Sequence, residues 1–253
     1  MKNVIKYLFH PSLVYRKYQD LIFLVSSLET AVDCLIDSPK WIESEEIGFN
    51  GQKYRKLIFK DLLKVFNFDA IVETGTYIGD TTGYMAKTSN LPIHTCELNR
   101  HFNSLAKMRL KDITDITFNL CDSRSFLKHL STTDISKKRV FVYLDAHWYR
   151  DLPLREELEI ICSEWKDFVI MIDDFQVPGD NGYQYDNYGK GKTLSVGAFS
   201  GIFLKHELIP FFPALSSDEE TGKSGKSGCV VLARKGVFSE TLSSLQSLRT
   251  RDL

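Results

Sequence analysis

The sequence lacks the features that would direct it into a membrane or onto nucleic acid. Its 32 basic and 33 acidic side chains leave a net charge of −1, so charge gives no argument for binding nucleic acid or an anionic membrane. The longest early apolar run, Leu21–Val25, is far shorter than the roughly 20 residues of a membrane-spanning helix. No signal-peptide core follows the apolar stretch near Tyr7, which ends at His10 and Pro11. We therefore expect a soluble, cytoplasmic protein with no membrane span and no nucleic-acid partner.

Cysteine is scarce and scattered, which argues against a zinc site and against a disulfide framework. The chain has five cysteines, an odd number, and no Cys-x-x-Cys pair. Three of them stand in strand-like apolar runs, where a reduced cysteine acts as a small apolar residue. A reducing compartment is therefore expected. The five are Cys34, Cys96, Cys121, Cys162 and Cys229.

The first part of the chain carries a helical pattern of its own. Apolar residues from Val14 to Leu35 recur at alternating steps of four and three, as in an amphipathic helix or a short coiled coil. Such a helix packs on its own domain or forms the contact of a homo-oligomer, and the pattern leaves both open. We expect three regions: an N-terminal helical extension (1–45), a catalytic domain (46–236) and a C-terminal tail (237–253).

Short apolar strands alternate with helical patterns through the middle of the chain, which predicts βαβ units and a parallel sheet. Two further strands near the end are joined by a polar stretch without a helix, which indicates an antiparallel hairpin. The predicted strands are Ala70–Glu73, Ile93–Glu97, Ile116–Leu120, Arg139–Leu144, Phe168–Asp173, Leu208–Leu215 and Gly228–Ala233. The predicted helices are Lys53–Phe66, Asp80–Lys87, Asn99–Leu110, Ser123–Leu130 and Leu154–Trp165.

The segment Ile71–Thr82 has the features of a ligand-binding turn. A strand ends at Glu73, and the Gly-x-x-x-Gly turn from Gly75 to Gly79 leads into a helix. Glycines there allow close approach of the backbone to a ligand in the crevice beyond the strand. A dinucleotide fingerprint requires a second glycine where this chain has Tyr77, so a pyrophosphate would meet a side chain. S-adenosylmethionine carries no phosphate, and an acidic residue beside the turn suits its amino group.

Two further acids follow the next strands. Glu97 ends Ile93–Glu97, where a carboxylate can accept both hydroxyls of a ribose. Asp122, with Ser123 beside it, follows the third strand at the place expected for an adenine. A single acid at such a position is commonly a turn residue or a helix cap, and that alternative stays open for each of them.

Together, Glu73–Gly79, Glu97 and Asp122 resemble the class I S-adenosylmethionine-dependent methyltransferases, over roughly Ile71 to Ala233. The resemblance implies a Rossmann-like α/β fold with a doubly wound, seven-stranded sheet of order 3-2-1-4-5-7-6. This chain departs from many members at Thr76 and Tyr77, where they carry small residues. The cofactor contacts that it implies are Glu73, Gly75, Thr76, Tyr77, Gly79, Thr81, Glu97, Asp122 and Ser123.

Three carboxylates follow the fourth and fifth strands. Asp145 comes after the fourth strand, and Asp173 and Asp174 close the fifth. The two strands are neighbours in a doubly wound sheet, about 4.8 Å apart, so we expect these carboxylates to converge. Clustered carboxylates repel one another unless a cation neutralises them, and oxygen ligands favour a hard ion such as Mg²⁺. The alternative is a pair of caps plus one structural acid.

This set is similar to the metal site of the macrocin/novobiocin-type sugar O-methyltransferases. In that branch an aspartate after strand four and an acidic pair after strand five bind a divalent metal, and Asp145, Asp173 and Asp174 match. The proposed base of the branch corresponds to His147, with a structural histidine as the alternative. The resemblance implies an O-methyltransferase, assisted by Mg²⁺ or Mn²⁺, that modifies a sugar, nucleotide sugar or glycosylated metabolite, as in polysaccharide biosynthesis.

A long irregular stretch, Pro178–Lys192, follows the acidic pair and predicts either a lid over the substrate or a plain surface loop. The Gly222–Gly228 segment is not a phosphate-binding loop, because Glu220 stands where the pattern requires glycine. Aromatic rings could stack on a sugar face. The substrate contacts that we expect are Trp148, Tyr149, Tyr183, Tyr185 and Tyr188.

Two other functions compete with the methyltransferase interpretation. An oxidoreductase on the same fold is disfavoured by Tyr77, which blocks a pyrophosphate. A non-catalytic protein that binds S-adenosylmethionine, or a scaffold, is disfavoured by the Asp145, His147, Asp173 and Asp174 set.

Overall fold

A computed structural model describes Val25 and residues 47–147, 151–189, 191–222 and 225–250. The chain divides between Ser44 and Glu45 into two units, and the fold below is that of the second. Apart from Val25, the predicted N-terminal helix lies outside the described residues, as do Trp148 and Tyr149, and its oligomer contact stays a prediction. No helix in the described part of the chain is long and apolar enough to cross a membrane.

In the part of the chain that the structure describes, eight strands form one mixed sheet in the order β3-β2-β1-β4-β5-β7-β6-β8. The first five run parallel, and β7 pairs antiparallel with both β5 and β6. The predicted doubly wound fold and its closing hairpin are therefore confirmed. The strands are β1 Ala70–Thr74, β2 Ile93–Glu97, β3 Ile116–Leu120, β4 Arg139–Leu144, β5 Asp167–Ile172, β6 Leu208–Pro213, β7 Val230–Arg234 and β8 Leu248–Thr250.

Residues expected to form a C-terminal tail instead continue the sheet. A short helix follows β7, and β8 then pairs antiparallel with β6, joining Phe211 to Thr250 and Pro213 to Leu248. Leu248 is buried, so this edge strand also contributes to the core. The structure therefore adds an eighth strand to the seven that were expected.

Seven α-helices are described, and they are numbered here from the first described one: α1 Lys53–Val65, α2 Asp80–Ser89, α3 Arg100–Arg109, α4 Ser123–Ser131, α5 Leu154–Glu164, α6 Val196–Lys205 and α7 Val237–Ser243. Helix α6 was not among the predicted helices, because it contains Gly197 and Gly201 and so has a weak intrinsic helix propensity. Its formation depends on packing, because Phe199, Ile202 and Phe203 are buried in the core.

Two apolar cores lie on the two faces of the sheet. Successive strand residues point to opposite faces, so Ala70 and Val72 of β1 pack in one core, together with α4, α5 and α6. Ile71 and Phe141 pack in the other, together with α1 and α2. With both faces covered, the carboxyl ends of β1, β2, β4 and β5 form one edge where polar side chains can meet a ligand.

Candidate cofactor and metal site

The turn after β1 passes against the end of β4, and glycine is required there. Gly75 has φ +88°, and a Cβ at this position would lie 2.4 Å from the carbonyl oxygen of Asp145. Gly79, with φ +86°, precedes α2, and a Cβ there would lie 2.8 Å from Leu110 Cδ1. Tyr77 also has a positive φ, 49°, which is uncommon for a residue with a side chain. The turn is thus tightly folded against its surroundings.

Glu73 lies beneath this turn, almost fully buried. Its Oε2 accepts hydrogen bonds from the hydroxyls of Thr82 (2.5 Å) and Thr95 (2.7 Å), while Oε1 has no partner among the described residues. The Thr76 hydroxyl lies 2.5 Å from that of Thr95. Burial raises the pKa of Glu73 to about 7, against the two hydroxyls that lower it. Glu73 therefore links the end of β1 to β2 and α2 through these two hydrogen bonds.

Thr81, also expected to contact the cofactor, has its hydroxyl engaged by the protein. The Phe49 backbone N–H donates to Thr81 Oγ1 at 3.2 Å. This bond joins the 3₁₀ turn before α1 to the start of α2. The hydroxyl oxygen keeps a second acceptor position and its own proton for a ligand.

Glu97 lies beside the turn at the end of β2. Its Oε2 accepts from the Tyr77 backbone N–H at 2.8 Å, and Oε1 accepts from the Asn99 N–H at 2.7 Å. Burial raises the pKa of Glu97, and these backbone N–H groups lower it. The Tyr77 ring packs edge-on against Phe102 with centroids 4.4 Å apart. Because each carboxylate oxygen can accept a second hydrogen bond, Glu97 is held in place and retains acceptor capacity.

Asp122 is the N-cap of α4. Its Oδ1 accepts from the backbone N–H groups of Arg124 (2.9 Å) and Ser125 (3.4 Å). The carboxylate also forms an ion pair with the Arg124 guanidinium, which reaches Asp151 at 2.6 Å as well. The side-chain hydrogen bond from Arg124 lowers the pKa of Asp122. Asp122 is therefore a helix cap, which was the alternative interpretation of this acid.

A buried acid that sequence analysis missed lies next to Ser123. Glu157 of α5 has no exposed surface, and burial raises its pKa to about 7, while the hydroxyls of Ser123 and Thr74 lower it. The signal in the sequence was its place in the apolar stripe of α5, three residues after Leu154 and four before Ile161. Glu157 thus lies under the ends of β1 and β3.

Asp145, His147 and Asp174 come together at the carboxyl edge of β4 and β5. Each offers one ligand atom, and these atoms all lie within 4.8 Å of one another. His147 Nε2 is 3.9 Å from Asp145 Oδ1 and 3.9 Å from Asp186 Oδ2. His147 is only 3% exposed, and neither ring nitrogen has a hydrogen-bond partner among the described residues. Two unpaired buried nitrogens beside carboxylates form a donor set that fits a divalent cation.

Asp173 is not a member of this group, which differs from the expected three-carboxylate set. It forms a buried ion pair with Arg55 of α1. Asp173 Oδ2 accepts from the Tyr143 hydroxyl at 2.5 Å, and Oδ1 accepts from the Asp174 N–H at 2.6 Å. Strand β5 ends at Ile172, and Asp174 then adopts φ +49°.

The ionisable groups of the cluster are perturbed by burial. Burial, and then the neighbouring Asp173 and Asp174, raise the pKa of Asp145 well above its usual range. Burial and then Asp173 raise the pKa of Asp174 to about 7. Burial lowers the pKa of His147, against the opposing effect of Asp173 and Asp186, so its ring is neutral near pH 7. Carboxylates that hold protons at neutral pH would release them to a bound cation.

The irregular stretch after β5 is anchored by backbone hydrogen bonds. The Asp186 N–H donates to Asp174 O at 2.9 Å, and the Gln184 N–H donates to Lys226 O at 2.7 Å. The Gly228 N–H in turn donates to Gln184 O at 2.7 Å, so Gln184 is held by two backbone hydrogen bonds. Asp186 is thereby brought to the edge of the cluster.

The three described tyrosines of this stretch lie in different environments. Tyr183 is buried in the apolar core, and its hydroxyl donates to Leu215 O at 3.1 Å. Tyr188 is partly buried, and its hydroxyl donates to the Asp186 carboxylate. Tyr185 is 38% exposed. Of these rings, that of Tyr185 is the one most open to a ligand.

The chain is similar to known proteins in its fold. No family model and no curated protein matches the chain. It is similar to the O-methyltransferase from Bacillus cereus in complex with SAH, with a TM-score of 0.54 and 14% identity over 83% of this chain and 91% of that one. It is also similar to the O-methyltransferase TomG from Streptomyces achromogenes, involved in tomaymycin synthesis and in complex with SAM, with a TM-score of 0.51 and 15% identity over 72% and 79% of the two chains. The chain thus has the fold of these methyltransferases.

Proposed function

We propose that the protein is an S-adenosylmethionine-dependent O-methyltransferase that uses a divalent metal to methylate a hydroxyl of a sugar, nucleotide sugar or glycosylated metabolite. The observation that carries this proposal is the contact between Gly75 and Asp145. It joins the turn of the expected cofactor site to the Asp145, His147 and Asp174 cluster. A methyl donor bound at the turn and a proton-accepting group would thereby be adjacent at one edge of the sheet, as methyl transfer requires.

The residues of the turn and of the strand ends fit the parts of the cofactor. Glu97 retains acceptor capacity for the two ribose hydroxyls, and the turn from Gly75 to Gly79 would bind the amino-acid part through Thr76, Tyr77 and the buried Glu73 beneath. Asp122 and Ser123 would lie at the adenine end, with Thr81 near the turn. S-adenosylmethionine supplies a methyl group made reactive by the sulfonium charge.

Asp145 and Asp174 would hold a divalent ion through their carboxylates. His147 lies beside them, and its two ring nitrogens have no hydrogen-bond partner among the described residues. An ion such as Mg²⁺ or Mn²⁺ supplies positive charge that lowers the pKa of the acceptor hydroxyl. His147, kept neutral by burial, would accept the hydroxyl proton at Nε2 as general base. Asp186, 3.9 Å from the same nitrogen, would stabilise the protonated ring.

A sugar acceptor is supported by the aromatic residues around the cluster and by the resemblance in the sequence. Tyr185 presents an exposed ring that could pack on the face of a sugar. Tyr188 is linked to Asp186 and so borders the cluster, whereas Tyr183 would support the loop from the core. Trp148 and Tyr149 directly follow His147 in the sequence and complete the proposed acceptor contacts.

Transfer of a labelled methyl group from S-adenosylmethionine tests the proposal. Sugars, nucleotide sugars and glycosylated metabolites serve as acceptors, with Mg²⁺ or Mn²⁺ and then with EDTA. We expect transfer with metal, loss of it in chelator, and loss of it in Asp145→Asn. Asp134→Asn, which changes an aspartate with an 83% exposed side chain, is the matched control and should transfer normally.

Each part of the proposal can fail separately. Full transfer in chelator would contradict metal assistance and leave methyl transfer standing. Binding of S-adenosylmethionine without transfer to any acceptor would support the non-catalytic alternative. Transfer to acceptors without a sugar would refute the substrate class alone.

A further inference from the structure

Helix α1 contributes a buried cation to the base of the candidate metal site, although α1 lies before the whole sheet in sequence. Arg55 and Asp173 are each 1% exposed and form an ion pair. The Arg55 Nη2 group also donates to Ser227 O at 2.8 Å. A buried charge without a partner is strongly unfavourable, so each member of such a pair holds the other in place.

We propose that Arg55 is a positioning residue that withholds Asp173 from the metal site, so that Asp145 and Asp174 are the two carboxylates that bind the ion. This inference rests on the metal-assisted function proposed above and assigns its ligand set. In a site of three carboxylates, Asp173 would be a ligand. Here the Arg55 guanidinium pairs with Asp173, and the group of potential ligands among the described residues is Asp145, His147 and Asp174.

The hydrogen bonds of Asp173 account for both of its oxygens. Oδ2 accepts from the Tyr143 hydroxyl at 2.5 Å, and Oδ1 accepts from the Asp174 N–H at 2.6 Å in addition to contacting Arg55. The bond to the Asp174 N–H holds that residue in its positive-φ conformation. Arg55 therefore acts twice through Asp173, because it neutralises one carboxylate and helps to orient the next.

The charge of the site follows from this arrangement. With Asp173 paired to Arg55, the carboxylates of Asp145 and Asp174 face the ion, and a neutral His147 beside them adds no charge. Loss of the arginine charge would release a third carboxylate toward the ion. Since a unit charge a few ångströms from a divalent ion interacts strongly in a partly buried site, the affinity for the ion should respond to Arg55. Hard ions that prefer oxygen, such as Mg²⁺, should respond most.

Titration calorimetry with Mg²⁺ and Mn²⁺, without S-adenosylmethionine or acceptor, measures this directly. The full chain and four variants are compared: Arg55→Gln, Arg55→Lys, Asp174→Asn and the double change Arg55→Gln with Asp173→Asn. Lys60→Gln is the matched control, because it removes a positive charge from an exposed position of the same helix. Circular dichroism and thermal unfolding verify that each variant is folded.

We expect Arg55→Gln to bind Mg²⁺ at least about tenfold more tightly than the wild type. The double variant loses both charges of the pair and should stay within about threefold of the wild type, whereas Asp174→Asn should lose at least about tenfold. Arg55→Lys keeps the charge and should behave like the wild type, as should Lys60→Gln.

A double variant that binds as weakly as Asp174→Asn would show that Asp173 is a ligand and would overturn the inference, while metal assistance would stand. Unchanged Mg²⁺ affinity in a folded Arg55→Gln would overturn it equally. If Arg55→Gln does not fold, the comparison of the neutral double variant with Asp174→Asn decides the question. A wild-type chain that binds neither ion would refute both the inference and the proposed metal assistance.

Discussion

Replacement of Glu157 by glutamine removes a carboxyl group that has no exposed surface, and it should change how the stability of the domain depends on pH. Burial raises the pKa of Glu157 from its ordinary value of 4.5 to about 7, against the hydroxyls of Ser123 and Thr74 that lower it. The folded state therefore binds the proton more tightly than the unfolded state. The stability that this group contributes is fully present below pH 4.5 and is lost as the pH rises through 7.

The magnitude follows from the two pKa values. A rise of the pKa from 4.5 to about 7 lowers the free energy of unfolding by about 3 kcal/mol at alkaline pH, relative to acidic pH. Of this loss, about 2 kcal/mol should occur between pH 5 and pH 8. Glutamine has nearly the same shape and does not ionise. Glu157→Gln should thus match the wild type near pH 4.5 and be more stable than it at pH 8.

Urea unfolding followed by circular dichroism at pH 5 and pH 8 measures the difference. Glu156→Gln is the matched control. The Glu156 side chain is 57% exposed, so this variant should show no gain in stability at pH 8. If wild type and Glu157→Gln lose the same free energy of unfolding between the two pH values, the buried carboxyl is not a source of the pH dependence. A gain of equal size in Glu156→Gln would refute the burial argument as well.

Two further predictions concern the proposed cofactor and base. Glu97→Ala should weaken S-adenosylmethionine binding by about 1.5–3 kcal/mol, since it removes a charged acceptor, and calorimetry with unaltered affinity would contradict that assignment. His147→Ala should reduce turnover by about 10²–10⁴ with S-adenosylmethionine affinity intact. Because burial lowers the pKa of His147, the acidic limb of the wild-type pH–rate profile should lie below the ordinary 6.5, and it should disappear in the variant. An unchanged profile would place the base elsewhere.

The parallel half of the sheet could be predicted from local patterns in the sequence. Strands β2, β3 and β4 have the predicted bounds, because each is a short run rich in β-branched and apolar residues between turn or helix signals. The edges of the sheet were harder to predict. Strand β8 has three residues and exists through its pairing with β6, which is a contact between distant parts of the chain.

The candidate site also has residues that could be predicted from the sequence and a contact that could not. Asp145, His147 and Asp174 could be found because each stands at or just after the end of a predicted strand, where a parallel sheet brings side chains together. The pairing of Arg55 with Asp173 joins positions 118 residues apart, and no local rule supplies it. Its signal was an arginine in the apolar stripe of α1, at the spacing of Ile58, Phe59 and Leu62, since a charge among buried positions requires a partner.

The contact between Gly75 and Asp145 leads to a last prediction, because it joins the two halves of the candidate site. In Gly75→Ala the new Cβ would lie 2.4 Å from a backbone oxygen, so relief requires movement of the end of β4. Gly179→Ala is the matched control, since φ is +81° there and no described atom lies within 4 Å of its Cβ. Both changes cost about 1–2 kcal/mol for a side chain at positive φ, and Gly75→Ala should cost about 1–3 kcal/mol more from overpacking. Urea unfolding measures that difference, and S-adenosylmethionine and Mn²⁺ titrations should show weakened binding of both in Gly75→Ala alone. Equal destabilisation by the two changes, or loss of one ligand without the other, would show that the turn and the cluster are not coupled through this contact.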